Sequence, residues 1–139
     1  MILFGPKVSN TPFAFAFHSI EYRFVDKLFY LGLLVFYEIF KFLEKALVEH
    51  SDSLIGDLLI PGMSRTEALE KDLAHYLGDQ WKEGYSIRPE VDTYLQHLQH
   101  LEKENPYLLI PYIYHLYMGL FSGGQVLRAT VSSFFKLKF

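Results

Sequence analysis

The sequence predicts an all-α protein, a single domain spanning residues 1–139 with its helices packed around one core. Three observations predict this fold class. The length of 139 residues suits one domain. Apolar residues recur at helical spacing over most of the chain. No pair of alternating segments flanks a hairpin turn. Half of the residues are apolar and 17% are aromatic, which is too hydrophobic a composition for a disordered chain.

Charge and cysteine content exclude several classes of function. The formal net charge is −3 and the 13 Lys and Arg residues are scattered, so the chain carries no basic surface for nucleic acid. The chain has no cysteine, which excludes disulfides and thiolate metal sites and favours a reducing, intracellular setting. The apolar run at residues 28–43 is interrupted by Glu38 and Lys41, and it falls short of the ~20 apolar residues of a membrane span. Residues 1–6 do not resemble a signal peptide.

The first predicted helix covers residues 22–50. Its side chains are apolar on nearly all sides, as expected of a buried helix. One stripe recurs at helical spacing, formed by Leu33, Tyr37, Phe40, Leu43 and Leu47. The preceding residues 8–17 alternate only loosely, and their pattern is compatible with either an extended or a helical segment.

Three more helices follow. Ser64 and Glu67 have the spacing of a capping box that opens the second helix, and Gly78 stands where its C-cap belongs. Pro89 suits the first turn of the third helix. The apolar stripe of this third helix consists of Val91, Tyr94, Leu95, Leu98 and Leu101. Pro106 ends it, and the last helix is predicted from residue 107 to about residue 135 if the glycines at its centre are tolerated.

Those glycines are the most informative feature of the chain. Gly119 and Gly123 are four residues apart and share one helix face, and Gly124 lies beside them. Each glycine inside a helix costs about 1 kcal/mol relative to alanine. Three interpretations stay open at this point. The bare face accepts a planar cofactor, it lets a second helix approach closely, or residues 122–124 break the helix into a loop.

The glycine segment belongs to a longer series of recognisable motifs. Residues 119–127, G-L-F-S-G-G-Q-V-L, resemble the distal-helix signature of the heme oxygenases, G-D-L-S-G-G-Q-V-L. Residues 36–44 and 67–73 are similar to two further helical segments of that family, and residues 106–109 to a third. The resemblance covers about residues 32–127. Residues 36–40 and 114–120 look most like insect and other arthropod members.

The resemblance implies a heme oxygenase-like helical bundle in which heme lies between a proximal and a distal helix. Heme would be both substrate and cofactor. With O2 and electrons from NADPH–cytochrome P450 reductase, it would be opened to biliverdin, carbon monoxide and ferrous iron. The resemblance places Gly119, Gly123, Gly124 and Ser122 in the heme-binding segment and Tyr114 near the heme propionates. It also implies a cytoplasmic protein, peripheral to the endoplasmic reticulum through its reductase.

The sequence departs from the family at its catalytic positions. The family's proximal histidine aligns near Gly5 or earlier, where no histidine occurs, and His18 is the candidate iron ligand that this region offers, although out of register. Leu120 occupies the position of the distal aspartate, which orders the water that delivers protons. A leucine accepts no hydrogen bond, so the relay is expected to be lost or rerouted. Leu116 and Phe40 replace the arginine and the second tyrosine that support it.

The two ends of the chain lack the resemblance. Residues 131–139 and about the first ten are unlike the family, whose members continue with further helices. The sequence therefore predicts a bundle truncated at both ends. Two alternatives to an active enzyme stay open, a non-enzymatic heme-binding remnant and a helical interaction module without a ligand.

Overall fold

The computed structural model describes the backbone of residues 12–137 and the side chains of residue 27 and residues 30–123. The described part contains four α-helices and two short 3-10 helices, joined by turns and loops. The α-helices are α1 (Pro12–Glu49), α2 (Thr66–Leu77), α3 (Pro89–Glu104) and α4 (Ile110–Leu137). The 3-10 helices are Gly56–Leu58, after α1, and Pro106–Leu109, immediately before α4. The prediction of an all-α fold is confirmed.

Helix α1 begins earlier than the apolar pattern predicted. It runs without a break from Pro12, so residues 12–17 are helical rather than extended; residues 8–11 lie outside the described part. Proline suits the first turn of a helix because it lacks only a backbone N–H that has no partner there. The helix ends at Glu49, close to the predicted end, and the chain then turns through Ser51 and Ser53.

The central core lies between α1, α3 and α4. Helix α1 contributes Phe40 and Leu43, neither of which is accessible to solvent, and α3 contributes the equally inaccessible Leu98. Burying one such side chain completely stabilises the fold by roughly 1.5–3 kcal/mol. The remaining buried members are Ile39, Ala46, Leu47, Ile55, Val91, Leu95, Leu109, Ile113 and Tyr117. The predicted stripe on α1 is confirmed, except that Leu33 is half-buried.

A second apolar cluster fixes α2 against residues 30–37 of α1. Tyr37 and Trp81 meet edge to face, with ring centroids 5.2 Å apart, and Leu73 of α2 is fully buried beside them. The Tyr37 hydroxyl donates a 2.8 Å hydrogen bond to Glu70, whose carboxylate also accepts one of 2.7 Å from Lys82. These contacts join α1, α2 and the loop that follows α2.

The prediction of a capping box at the start of α2 is wrong. Arg65 occupies the N-cap position and makes no side-chain cap. Ser64 instead donates its hydroxyl to Glu44 of α1, and Glu67 pairs with Lys71 at 2.8 Å. In a capping box the serine oxygen accepts from a backbone N–H at the start of the helix. Here the Glu44 carboxylate, 20 residues before Ser64, accepts from the N–H groups of Arg65 and Thr66 instead. The C-cap prediction is confirmed, because Gly78 ends α2 with a φ of 90° that favours glycine.

The connection between α3 and α4 contains a 3-10 turn that the sequence did not predict. Asn105 accepts a 3.0 Å hydrogen bond from the backbone N–H of Tyr107, and Pro106 starts a 3-10 turn. Helix α4 therefore begins at Ile110 rather than at residue 107. Within the described residues, none of the helices combines the length and the apolar character that crossing a membrane requires.

Candidate functional site

Helix α4 passes through its glycines without a break. Gly119 and Gly123 are both helical and exposed. A methyl group placed on either residue would meet no described atom within 4 Å. The loop interpretation of residues 122–124 is therefore wrong. The helix-packing interpretation finds no support among the described residues, since none of them approaches this face. We call the surface of α4 at Gly119 and Gly123 the glycine face.

The described side chains around the glycine face do not cover it. Ser122 donates its hydroxyl to the carbonyl of Met118 at 2.7 Å, so that hydroxyl is held against its own helix. Tyr114 is 61% exposed, and its ring touches that of His115. Leu120, the residue at the aspartate position of the family signature, is 38% exposed. A flat apolar ligand could reach the backbone here without displacing a described side chain.

The opposite side of α4 is firmly anchored. Tyr117 is only 2% exposed, and its ring meets that of Phe40 edge to face with centroids 5.0 Å apart. Its hydroxyl donates a 3.1 Å hydrogen bond to Glu44. Gly119 follows Tyr117 by two residues, or roughly 200° around an α-helix. The glycine face is thus turned away from the side of α4 that packs against α1.

Glu44 accepts hydrogen bonds from α4 and from the start of α2. Its carboxylate accepts one of 2.8 Å from the Ser64 hydroxyl and others from the backbone N–H groups of Arg65 and Thr66, in addition to the one from Tyr117. Burial opposes ionisation of this carboxyl group. The hydrogen bonds outweigh that effect and hold the pKa of Glu44 below its ordinary value of 4.5. Burial raises the pKa of Tyr117, and the neighbouring Glu44 charge raises it further.

The predicted site residues that the structure describes all lie on α4. Gly119, Ser122 and Gly123 share one broad side of the helix, and Tyr114 precedes them by more than a turn. Gly124 continues the helix, but its surroundings lie outside the described part, as does the side chain of His18 in α1. The proposed iron ligand therefore stays a prediction. Of the residues that replace the relay partners, Phe40 is fully buried and Leu116 is half-buried.

Sequence reasoning missed the pairing of Glu44 with Tyr117. One signal was available, because Glu44 interrupts an apolar helix side four residues after Phe40 and three before Leu47. An acidic residue in such a place must find hydrogen-bond donors when it is buried. The identity of the donors could not be read from spacing, since Tyr117 lies 73 residues away in the chain.

A separate open groove of about 550 Å³ lies where α3 meets the start of α4. Its lining residues are Tyr94, Leu101, Leu108, Pro111, Tyr112, His115 and Leu116. His97 and the hydroxyl of Tyr112 are hydrogen-bonded across 3.0 Å. His115 is exposed and borders this groove. Among the described side chains, no three histidine or carboxylate groups stand close enough to hold a metal ion.

Comparison with known proteins identifies the relatives of this chain. The family model for heme oxygenase matches residues 17–138. Heme oxygenase 2 of Synechocystis sp. PCC 6803 is 33% identical over 102 residues, which is 73% of this chain and 41% of the relative. Heme oxygenase 1 of Nostoc sp. PCC 7120 is 31% identical over 106 residues, 75% of this chain and 44% of the relative. Heme oxygenase 2 of Macaca fascicularis is 29% identical over 133 residues, 94% of this chain and 42% of the relative.

A solved structure shares the arrangement of helices. The crystal structure of heme oxygenase-2 from Synechocystis sp. PCC 6803 in complex with heme and NO matches with a TM-score of 0.70 and 32% sequence identity. The match covers 78% of this chain and 45% of that one. The chain thus spans less than half the length of the relatives named here.

Proposed function

The chain belongs to the heme oxygenase family, and we propose from this premise that it binds heme against the glycine face and takes part in oxidative opening of the heme ring. The products would be biliverdin, carbon monoxide and ferrous iron. The observation that carries the proposal is the bare surface at Gly119 and Gly123, where no described atom lies within 4 Å of an added methyl group. The Synechocystis relative was crystallised with heme and NO, so a related fold holds heme together with a diatomic molecule.

The residues present on α4 suit one side of a heme site. Helical glycines are destabilising by about 1 kcal/mol each, and at Gly119 and Gly123 they leave the backbone free to touch a planar ligand. The exposed apolar side chains of Met118 and Leu120 would exclude water beside that ligand. The exposed Tyr114 hydroxyl would donate a hydrogen bond to a propionate. Bound heme would supply the iron and the oxidisable ring, while the chain supplies orientation and a dry surface.

Leu120 favours a second candidate function, heme binding without turnover. A proton relay needs a group that accepts and donates hydrogen bonds, and a leucine does neither. In the supporting positions, Phe40 and Leu116 are equally unable to take part. If no water-mediated route replaces these side chains, heme would be held on α4 and left intact.

The finer features of the proposal rest on the resemblance described above. Electrons would come from NADPH–cytochrome P450 reductase, and the protein would be cytoplasmic, peripheral to the endoplasmic reticulum through that reductase. An arthropod-like member is favoured by residues 36–40 and 114–120. His18 would be the iron ligand if this chain binds heme through a histidine in α1.

Two measurements on the full chain test the proposal. The first is a titration with hemin followed by absorbance, for which we expect a sharp Soret band that saturates at one hemin per chain. The second adds NADPH, cytochrome P450 reductase and O2 to the complex and assays biliverdin. Biliverdin formation supports the enzymatic function, whereas a stable complex without product supports heme binding alone. A featureless spectrum that resembles free hemin would contradict both functions.

A further inference from the structure

We propose that Glu44 is a positioning residue, whose single carboxylate sets the rotation of α4 and thereby the direction of the glycine face. The proposal rests on the function assigned above only for the identity of the ligand. The anchoring of α4 by Glu44 is a property of the chain without heme.

Glu44 controls α4 directly through Tyr117. The hydrogen bond from the Tyr117 hydroxyl to Oε1 of Glu44 joins α4 to α1. Gly119 lies about 3 Å farther along the helix axis, on the far side of α4 from this bond. Because a helix is rigid over two residues, fixing the rotation of Tyr117 about the axis also fixes the direction in which Gly119 points.

Glu44 also controls α4 indirectly through the start of α2. It accepts hydrogen bonds from the backbone N–H groups of Arg65 and Thr66, which have no partner within their own helix. The Arg65 guanidinium in turn lies over the Phe121 ring, 5.4 Å from its centroid. Tyr117 and Phe121 flank Gly119 in the sequence. Tyr117 binds Glu44 directly, and Phe121 contacts Arg65, which is itself hydrogen-bonded to Glu44.

The chemistry requires a carboxylate at this position. Ser64, Arg65, Thr66 and Tyr117 all present donors to Glu44, and both carboxylate oxygens accept. A glutamine would keep one accepting oxygen and place an NH2 group against donors. The substitution Glu44→Gln keeps the size of the side chain and removes the charge, so it separates hydrogen bonding from packing.

The test compares the wild-type chain with Glu44→Gln and Tyr117→Phe by hydrogen–deuterium exchange without heme. We expect amide exchange in residues 64–68 and 114–123 to rise about tenfold in Glu44→Gln. Exchange in residues 89–104 of α3 should stay unchanged. Tyr117→Phe should raise exchange in residues 114–123 alone. The matched control is Glu70→Gln, which removes another hydrogen-bonded carboxylate that contacts Tyr37 and Lys82 but not α4.

Hemin titration of the same variants then tests the direction of the glycine face. Glu44→Gln and Tyr117→Phe should bind hemin at least about tenfold more weakly than wild type and shift the Soret maximum, while Glu70→Gln should match wild type. Unchanged amide exchange in α4 of Glu44→Gln would overturn the proposal. It would also be overturned if α4 exchange rises in Glu44→Gln but the variant binds hemin as tightly as wild type. If Glu44→Gln fails to fold, Tyr117→Phe decides by the same two criteria. Failure of the wild type to bind hemin would overturn the proposed function, and the exchange data would then decide the anchoring alone.

Discussion

The hydroxyl of Tyr117 donates a 3.1 Å hydrogen bond to Oε1 of Glu44, although the two residues are 73 positions apart in the chain. This bond lies on the buried side of α4. No described atom lies against the side that carries Gly119 and Gly123, so α4 has one side devoted to anchoring and another with the form of a binding surface. Stability and ligand binding should therefore respond to different substitutions on the same helix.

Removal of the Tyr117 hydroxyl tests the anchored side. Tyr117→Phe keeps the ring that packs on Phe40 and deletes a hydrogen bond to a charged acceptor. We expect the free energy of unfolding to fall by about 1–2 kcal/mol. Urea unfolding, followed by the fluorescence of Trp81, the single tryptophan, measures this change. The control is Tyr114→Phe at an exposed site, expected to change stability by less than about 0.5 kcal/mol. Equal losses in the two variants would contradict the assigned hydrogen bond.

The low pKa of Glu44 predicts a specific loss of stability in acid. The folded-state pKa lies below the ordinary value of 4.5 because hydrogen bonds outweigh the effect of burial. The stabilisation is therefore complete above the unfolded-state pKa and is lost as the pH falls through the folded-state pKa. We expect the free energy of unfolding to fall as the pH drops below the ordinary carboxyl pKa of 4.5, and to fall less steeply in Glu44→Gln. Identical slopes in both proteins would contradict the assignment.

Leu98 tests whether α3 is part of the central core. Its side chain is inaccessible, and Leu98→Ala should lower the free energy of unfolding by about 2–5 kcal/mol through lost burial and a new cavity. Leu54 is 70% exposed, so Leu54→Ala should change the free energy of unfolding by less than about 0.5 kcal/mol. Chemical denaturation of the two variants makes the comparison. A loss below about 1 kcal/mol in Leu98→Ala would place α3 outside the core.

Leu120 tests the role of an acidic group beside the glycine face. Leu120 is partly exposed, so an added carboxylate can be solvated, and Leu120→Asp should fold with a stability within about 1 kcal/mol of wild type. We expect Leu120→Asp to form biliverdin faster than wild type in the reductase assay, because an aspartate can order a proton-donating water. The Leu120→Asn variant at the same position can form hydrogen bonds but carries no charge, so it separates the two effects. An unchanged rate in Leu120→Asp would show that this position does not limit turnover.

The predictable parts of the fold are those set by local chemistry. The apolar stripes of α1 and α3 predicted the buried faces, and Pro89 and Gly78 marked a helix start and a helix end correctly. Such signals act over one or two turns, so sequence spacing contains them. The glycine face was also visible in the sequence, because Gly119 and Gly123 fall on one side of any helix that contains them.

The errors arose where distant residues override local preference. Ser64 and Glu67 have ideal spacing for a capping box, but the charged carboxylate of Glu44 takes over the role of the cap. It accepts from the backbone N–H groups of Arg65 and Thr66. The same carboxylate binds Tyr117, and no local pattern connects these two residues. The start of α1 at Pro12 is not predictable from the sequence, because residues 12–17 satisfy neither the helical nor the alternating pattern clearly.

Hemin binding by glycine variants tests the proposed site most directly. The variant Gly119→Ala/Gly123→Ala adds two methyl groups to the bare face, where the structure leaves room for them. Gly32→Ala in α1 is the matched control, since Gly32 is also helical and an added methyl group would meet no described atom within 4 Å. Each substitution should raise the free energy of unfolding by up to about 1 kcal/mol.

We expect the double variant to bind hemin at least about tenfold more weakly than wild type while it unfolds at higher urea concentration. The Gly32→Ala control should gain stability and keep wild-type affinity. A double variant that binds hemin as tightly as wild type, with the same Soret band, would contradict the placement of heme against Gly119 and Gly123.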